Sequence, residues 1–348
     1  MKDLAWQLLQ PALQQQGNGQ ALWLVDENIT EQDIASITPA KNLQVISNRY
    51  DVYLALQKKG FKAALSDYDF SGFELSSFDV IYYRVSKEKA VVHHIINAAA
   101  RYLKPQGELL LAGYKNEGIK TYVSKAAALL GCPADKQRGP QSTLLATLTR
   151  EAIAADPLDD KNYTEFSTVV AGDLSFISKP GIFGWNKVDQ GSVFLIDTLA
   201  NYLGIFETLP EQVIDLGCGY GFLSVMAHQF LSADYLATDN NITAINACKQ
   251  NFAKHKLSGE VLIDNCAEAI SKQADLIICN PPFHQGFDIE GDLTRRFLQT
   301  CKRLLAPGGR GLFVVNSFIP LEKKAAPLFS SVETVASNKS FKVIALAL

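Results

Sequence analysis

Asn280-Pro281-Pro282-Phe283 closes an apolar run, Asp275-Leu276-Ile277-Ile278-Cys279. A side-chain amide followed by a proline carbonyl can accept both hydrogens of one planar NH2 group. The lone pair of such a nitrogen is delocalised, so holding it in line with a methyl donor is most of the catalysis. The acceptor dipoles also favour the positive charge that develops on nitrogen. Phe283 can stack on a base face, a contact worth ~1–3 kcal/mol, and the base must be splayed out of any helix to reach it. Asn280, Pro281 and Phe283 are therefore the expected catalytic residues. Pro282 is expected to stiffen the loop, and His284 either to meet a substrate phosphate or to cap the loop. Cys279 sits inside the apolar run and reads as core, which argues against cytosine C5 methylation, a reaction needing an exposed thiolate.

About sixty residues upstream stands Asp215-x-Gly217-x-Gly219-x-Gly221, after the apolar Val213-Ile214. Glycines let a backbone turn sharply and approach a ligand. A lone Gly-x-Gly-x-x-Gly is weak evidence, because dinucleotide folds share it. The Gly-x-Gly-x-Gly spacing, with Asp two residues before it, favours S-adenosylmethionine as cofactor. Asp215 is the expected partner of its ammonium, Asp239 of its ribose hydroxyls, and Asn240 a neighbour of its adenine. Asp264 and Asn265 either meet the adenine amine or make an ordinary strand-end turn. The run from Lys179 to Trp185, followed by Asp189-Gln190-Gly191-Ser192, is a loop and helix start that either closes one side of the cofactor pocket or staples its aromatics to the core. Cys218 reads as a small loop residue.

The elements that must position these groups alternate in type. Strands are expected at 212–216, 235–239, 261–264, 275–280 and 311–316, with helices at 220–230, 242–255 and 293–305 and a last strand over 340–348. Short apolar strands alternating with helices predict a parallel sheet covered on both faces. The first half repeats the plan. Its segment Phe78-Asp79-Val80-Ile81-Tyr82-Tyr83-Arg84 matches 274–280 at an offset of 196, and 102–111 matches 303–312 at an offset of about 201. The fold class expected is α/β, two tandem Rossmann-like methyltransferase domains born of internal duplication: 1–160, degenerate, and 161–348, catalytic. The first copy lacks the glycine motif and carries Arg84-Val85-Ser86-Lys87 in the place of Asn280-Pro281-Pro282-Phe283. It is expected to dock substrate, with Arg84, Lys87, Lys89, Arg101 and Lys104 either contacting phosphates or forming a solvated surface.

At 348 residues, two domains are the prior. No apolar run reaches the ~20 residues needed to span a bilayer, and Met1-Lys2-Asp3-Leu4-Ala5-Trp6 lacks the parts of a signal peptide. Six cysteines without a Cys-x-x-Cys pair suit reduced thiols in the cytoplasm. Through residue 178 there are 18 basic and 20 acidic residues, and 15 against 16 after it, so any RNA-binding surface must be a local patch. His93-His94 has no helix-spaced carboxylates around it, and no metal is expected.

The Asp215–Gly221 and Asn280–His284 motifs, with the degenerate first half, make the chain resemble RsmC, the small-subunit ribosomal RNA guanine-N2 methyltransferase family, over nearly its whole length. Pro180-Gly181-Ile182-Phe183, Gly191-Ser192 and Phe341-Lys342-Val343 also resemble segments of that family. The resemblance implies methyl transfer from S-adenosylmethionine to a guanine N2 of 16S rRNA in the 30S subunit; the protein is expected to be a cytoplasmic monomer. Large-subunit 23S rRNA guanine-N2, adenine-N6 and protein glutamine-N5 enzymes share the Asn-Pro-Pro-aromatic logic, since all present a planar NH2. A non-catalytic RNA-binding protein is the alternative of another class.

Overall fold

The computed structural model describes residues 3–15, 17–281 and 287–348, without the side chains of 287–292. The chain divides into two compact units, Met1–Glu165 and Phe166–Leu348. Tyr163 belongs to the first: its ring stacks on His94 with centroids 4.5 Å apart, and its hydroxyl donates to Asp67 at 2.7 Å. The division therefore falls slightly beyond residue 160.

Unit one holds β1 (Ala21–Val25), β2 (Leu43–Ser47), β3 (Lys62–Leu65), β4 (Phe78–Arg84), β5 (Leu103–Tyr114), β6 (Ala134–Arg138) and β7 (Thr143–Thr149). They form one sheet in the order β3-β2-β1-β4-β5-β7-β6. Unit two opens with a hairpin, β8 (Ser167–Ala171) and β9 (Leu174–Ser178). Then come β10 (Gln212–Leu216), β11 (Asp234–Asp239), β12 (Gly259–Ile263), β13 (Ala274–Cys279), β14 (Leu305–Asn316), β15 (Ser331–Ser337) and β16 (Phe341–Ala347), in the order β12-β11-β10-β13-β14-β16-β15.

The two orders are the same, and so is the register. Ala21 pairs with Val80 as Val213 pairs with Leu276, and Ser47 with Leu65 as Asp239 with Ile263. Both sheets carry a register shift at the start of the fourth-to-fifth strand pairing, between Phe78 and Val80 and between Ala274 and Leu276. Such coincidence of bulge and register bears out the internal duplication.

The sheets are mixed where a parallel sheet was expected. β7 and β16 run antiparallel to β5 and β14, and each hands on to an antiparallel edge strand. The edge strand β15 is polar and mostly exposed, so it carries no apolar run to announce it. The central strands are mostly apolar because both faces are covered. Val213, Leu276 and Ile278 pack to one side of the second sheet, and Ile214, Leu216, Ile277 and Cys279 to the other. Each such side chain contributes ~1.5–3 kcal/mol by burial, which fixes the strand ends against one another.

Candidate active site

Strands β12, β11, β10 and β13 are neighbours and run parallel. Their C-terminal ends therefore bring Asp264, Asp239, the loop from Gly217 and Asn280 to one edge of the sheet. The order of strands reverses between β10 and β13, the crevice in which open α/β sheets take ligands.

The loop after β10 is made of glycines for a reason: φ is +74° at Gly217, +54° at Gly219 and +85° at Gly221. A side chain in that region costs about 1–2 kcal/mol. A Cβ on Gly221 would also stand 2.8 Å from Cys248 Sγ, whereas on Gly219 the nearest atom would be Ile182 Cγ2 at 4.0 Å. Packing demands glycine at Gly221, while the backbone at Gly219 is left open to a ligand. The loop is pinned to β11. Gly217 and Cys218 donate their N–H groups to the Thr238 carbonyl, and Gly219 N–H donates to Asp239 Oδ2 at 3.0 Å. Asp239 Oδ1 accepts from Asn241 N–H at 2.8 Å. Asn240 is half-buried at the same strand end.

Asp215 lies beneath this loop, fully enclosed. Its Oδ2 accepts from Ser224 N–H at 3.1 Å and Ser224 Oγ–H at 2.7 Å, bracing the helix Phe222–His228. Its Oδ1 has no hydrogen-bond partner among the described residues. Burial pushes the carboxyl up to about 7. In this geometry Asp215 supports the loop from below. Asp264 shows the strand-end turn: Oδ1 accepts from Glu268 N–H at 2.7 Å and Oδ2 from Ala269 N–H at 3.1 Å, enclosing Cys266 and Ala267 at positive φ. Asn265 is half-buried beside it.

Asn280 is half-buried at the end of β13, and Pro281 is buried. Asn280 Nδ2 donates to Asp189 Oδ2 at 2.8 Å and to Ser192 Oγ at 2.8 Å. Asp189 Oδ2 also accepts from Ser192 N–H at 2.8 Å, so the N-cap of the helix Gln190–Tyr202 and the Asn280 amide share one acceptor. Pro282, Phe283 and His284 lie outside the described residues. Sequence reasoning left Asn241 without a role, and placed Asp189 and Ser192 only in a segment that closes the cofactor pocket or packs on the core, with no link to Asn280. Asp-x-x-Ser is an N-cap signal, but nothing in it points to a strand 91 residues away.

The loop Lys179–Trp185 is brought to this edge too. Asn241 Nδ2 donates to the Gly181 carbonyl at 3.0 Å, and Ile182 is buried under Gly219. Phe183 is 58% exposed. Cys218 and Cys279 are buried free thiols, and burial pushes both well above the usual range, which argues against either acting as a thiolate nucleophile. Among the described residues no His/Cys/Asp/Glu group is arranged to hold a metal, and no helix is long and apolar enough to cross a membrane.

In unit one the register puts Arg84 where Asn280 stands in unit two. Arg84 is 2% exposed and holds Asp3 at 2.8 Å, Glu117 at 2.7 Å and the Val85 carbonyl at 2.5 Å. The expected phosphate contact by Arg84 is thereby corrected: a buried guanidinium with two carboxylates closes the position. Tyr68 fills the space at the C-terminal ends of β1 and β2, fully buried, with its hydroxyl 3.1 Å from the Val25 carbonyl and 3.2 Å from Asn48 Oδ1. Lys104 is held by Asp79 at 2.7 Å. Lys87, Lys89 and Arg101 are exposed.

The family model Methyltransferase small domain matches residues 173–345. A protein of Chromohalobacter salexigens named ribosomal RNA small subunit methyltransferase C is 31% identical over 242 residues, 69% of each chain. One of the same name from Shewanella amazonensis is 28% identical over 270 residues, 77% of each chain. Among solved structures, T. thermophilus 16S rRNA N2 G1207 methyltransferase in complex with AdoMet and guanosine superposes with a TM-score of 0.82 at 23% identity. It covers 98% of this chain and 91% of its own, and carries the two-domain fold. The chain belongs to the ribosomal RNA small subunit methyltransferase C family.

Proposed function

We propose that the chain transfers a methyl group from S-adenosylmethionine to the exocyclic N2 of a guanine in 16S rRNA. The observation that carries this reading is the Asn280 amide. It stands at the end of β13, one strand from the open glycine loop, with both amide hydrogens engaged by the protein. The family membership supports the same reading, and the relatives' names specify small-subunit rRNA.

The residues fit the cofactor. The loop is open at Gly219, Asp239 keeps acceptor capacity on both oxygens beyond its two backbone bonds, and Asp215 presents an unpartnered oxygen beneath the loop. Asp215, Gly217, Gly219, Gly221, Asp239, Asn240, Asp264 and Asn265 are the residues that would hold it. The bound cofactor supplies an electrophilic sulfonium methyl. Asn280 Oδ1 and the Pro281 carbonyl accept the two hydrogens of the guanine NH2 and turn its lone pair to that methyl. As nitrogen becomes positive both acceptors hold its hydrogens more strongly, and the acidic product loses its proton to water, so no general base is needed. Phe283 supplies the stacking face.

Unit one docks the RNA through Lys87, Lys89 and Arg101, and the substrate is 16S rRNA within the 30S subunit, met by a cytoplasmic monomer. Asn280→Ala tests the chemistry. It should abolish N2-methylguanosine formation while leaving S-adenosylmethionine affinity within about threefold; full activity would overturn the mechanism.

A further inference from the structure

The Asn280 amide does not choose its own direction. Its nitrogen lies 2.8 Å from a carboxylate oxygen, Asp189 Oδ2. A carboxylate only accepts, so the end of the amide facing it must be NH2. The second amide hydrogen goes to Ser192 Oγ at 2.8 Å. With both donors engaged, the carbonyl end is left to face the other way. Asp189 is itself held, since its Oδ2 caps the helix Gln190–Tyr202 through Ser192 N–H. Gly191 leaves the carboxylate its place: a Cβ there would stand 3.0 Å from Asp189 Oδ2 and 3.1 Å from the Phe341 ring at the start of β16.

We propose that Asp189 and Ser192 are positioning residues for the methyl transfer, fixing the Asn280 amide so that only its acceptor end meets the substrate. The inference rests on the function proposed above. Its consequence is selective: the site accepts a nitrogen that carries hydrogens to give, and it offers no amide N–H to a carbonyl or hydroxylate oxygen in the same place. The helix start is thus a working part of the site as well as a helix end.

Three variants separate positioning from capping. Serine caps a helix as well as aspartate does, but its shorter side chain does not reach Asn280. Asp189→Ser should therefore keep the melting temperature while kcat for methylation of 16S rRNA falls about a hundredfold, as expected for a reacting group held out of line. KM for RNA and cofactor affinity should change by no more than about threefold. Asp189→Asn keeps an acceptor oxygen for both donors and should restore kcat to within about fivefold of the parent. Ser192→Ala, losing one of the two amide contacts, should fall between them. Wild-type kcat in Asp189→Ser, or Asp189→Asn as slow as Asp189→Ser, would overturn the proposal. A second readout needs no activity: the Asn280 side-chain NH2 protons, followed by NMR in the full chain, should exchange with water about tenfold faster in Asp189→Ser than in the parent. Equal exchange would also overturn it. Failure of the parent to make N2-methylguanosine on any rRNA would instead overturn the function, while protected NH2 protons would still support the geometry.

Discussion

Replacing Asn280 by aspartate changes one atom and should reverse the local electrostatics. The new carboxylate oxygen would stand where Nδ2 stands now, 2.8 Å from Asp189 Oδ2. Two unit charges at that separation repel by about 6 kcal/mol at an effective dielectric of 20. That repulsion holds the second ionisation of the pair well above the usual carboxylate range. At the acid end of the range a shared proton bridges the two carboxyls and leaves the outer oxygen of residue 280 as an acceptor, much as in the parent. As pH rises both ionise and swing apart. The ratio of Asn280→Asp to parent in single-turnover transfer of labelled methyl should then fall with rising pH, approaching tenfold per unit once the second proton is lost. Melting temperatures at each pH guard against unfolding. A ratio near one that stays flat from pH 6.5 to 9.5 would refute the reasoning, because it would mean that Asp189 does not hold residue 280.

Other outcomes follow from the same geometry. Burial holds Asp215 at about 7, above its ordinary 3.8, so the folded state binds that proton more tightly than the unfolded state. Its stability contribution is full below pH 3.8 and is lost as pH rises through 7, amounting to about 4 kcal/mol. In urea unfolding, Asp215→Asn should gain on the parent as pH rises from 4 to 8; a difference independent of pH would contradict the assignment. In the first unit, reversing Lys87, Lys89 and Arg101 to glutamate should weaken rRNA binding and flatten its salt dependence by up to about three counterions. An unchanged affinity and slope would remove docking from this face, and leave the first unit to be explained otherwise.

The apolar strands were the legible part of the fold. The strand expected at 212–216 is Gln212–Leu216, and the helix expected at 242–255 is Ile242–His255, because β-branched runs and a 3.6-residue period carry their own signals. The duplication was legible in two matched segments and reappears as matched register. The antiparallel close of each sheet was not: β15 is a polar edge strand, and β6 has four exposed residues of five. In the site, glycine spacing announced the loop, and positive φ explains each glycine. What Asp215 and Asp264 touch depended on helix and turn backbones that no spacing reveals, and so did the closure of the first unit by Arg84 and Tyr68. The link from Asp189 to Asn280 is a tertiary hydrogen bond between a helix cap and a strand end, invisible to any local pattern.

The most direct test of the central claim is transfer of a labelled methyl group from S-adenosylmethionine to 30S subunits, 50S subunits, free 16S rRNA and free 23S rRNA, all lacking prior modification. Label in 16S rRNA, recovered as N2-methylguanosine after nucleoside digestion and strongest with 30S subunits, is the predicted result. Label confined to 23S material, or no label in any RNA despite cofactor binding, would contradict it.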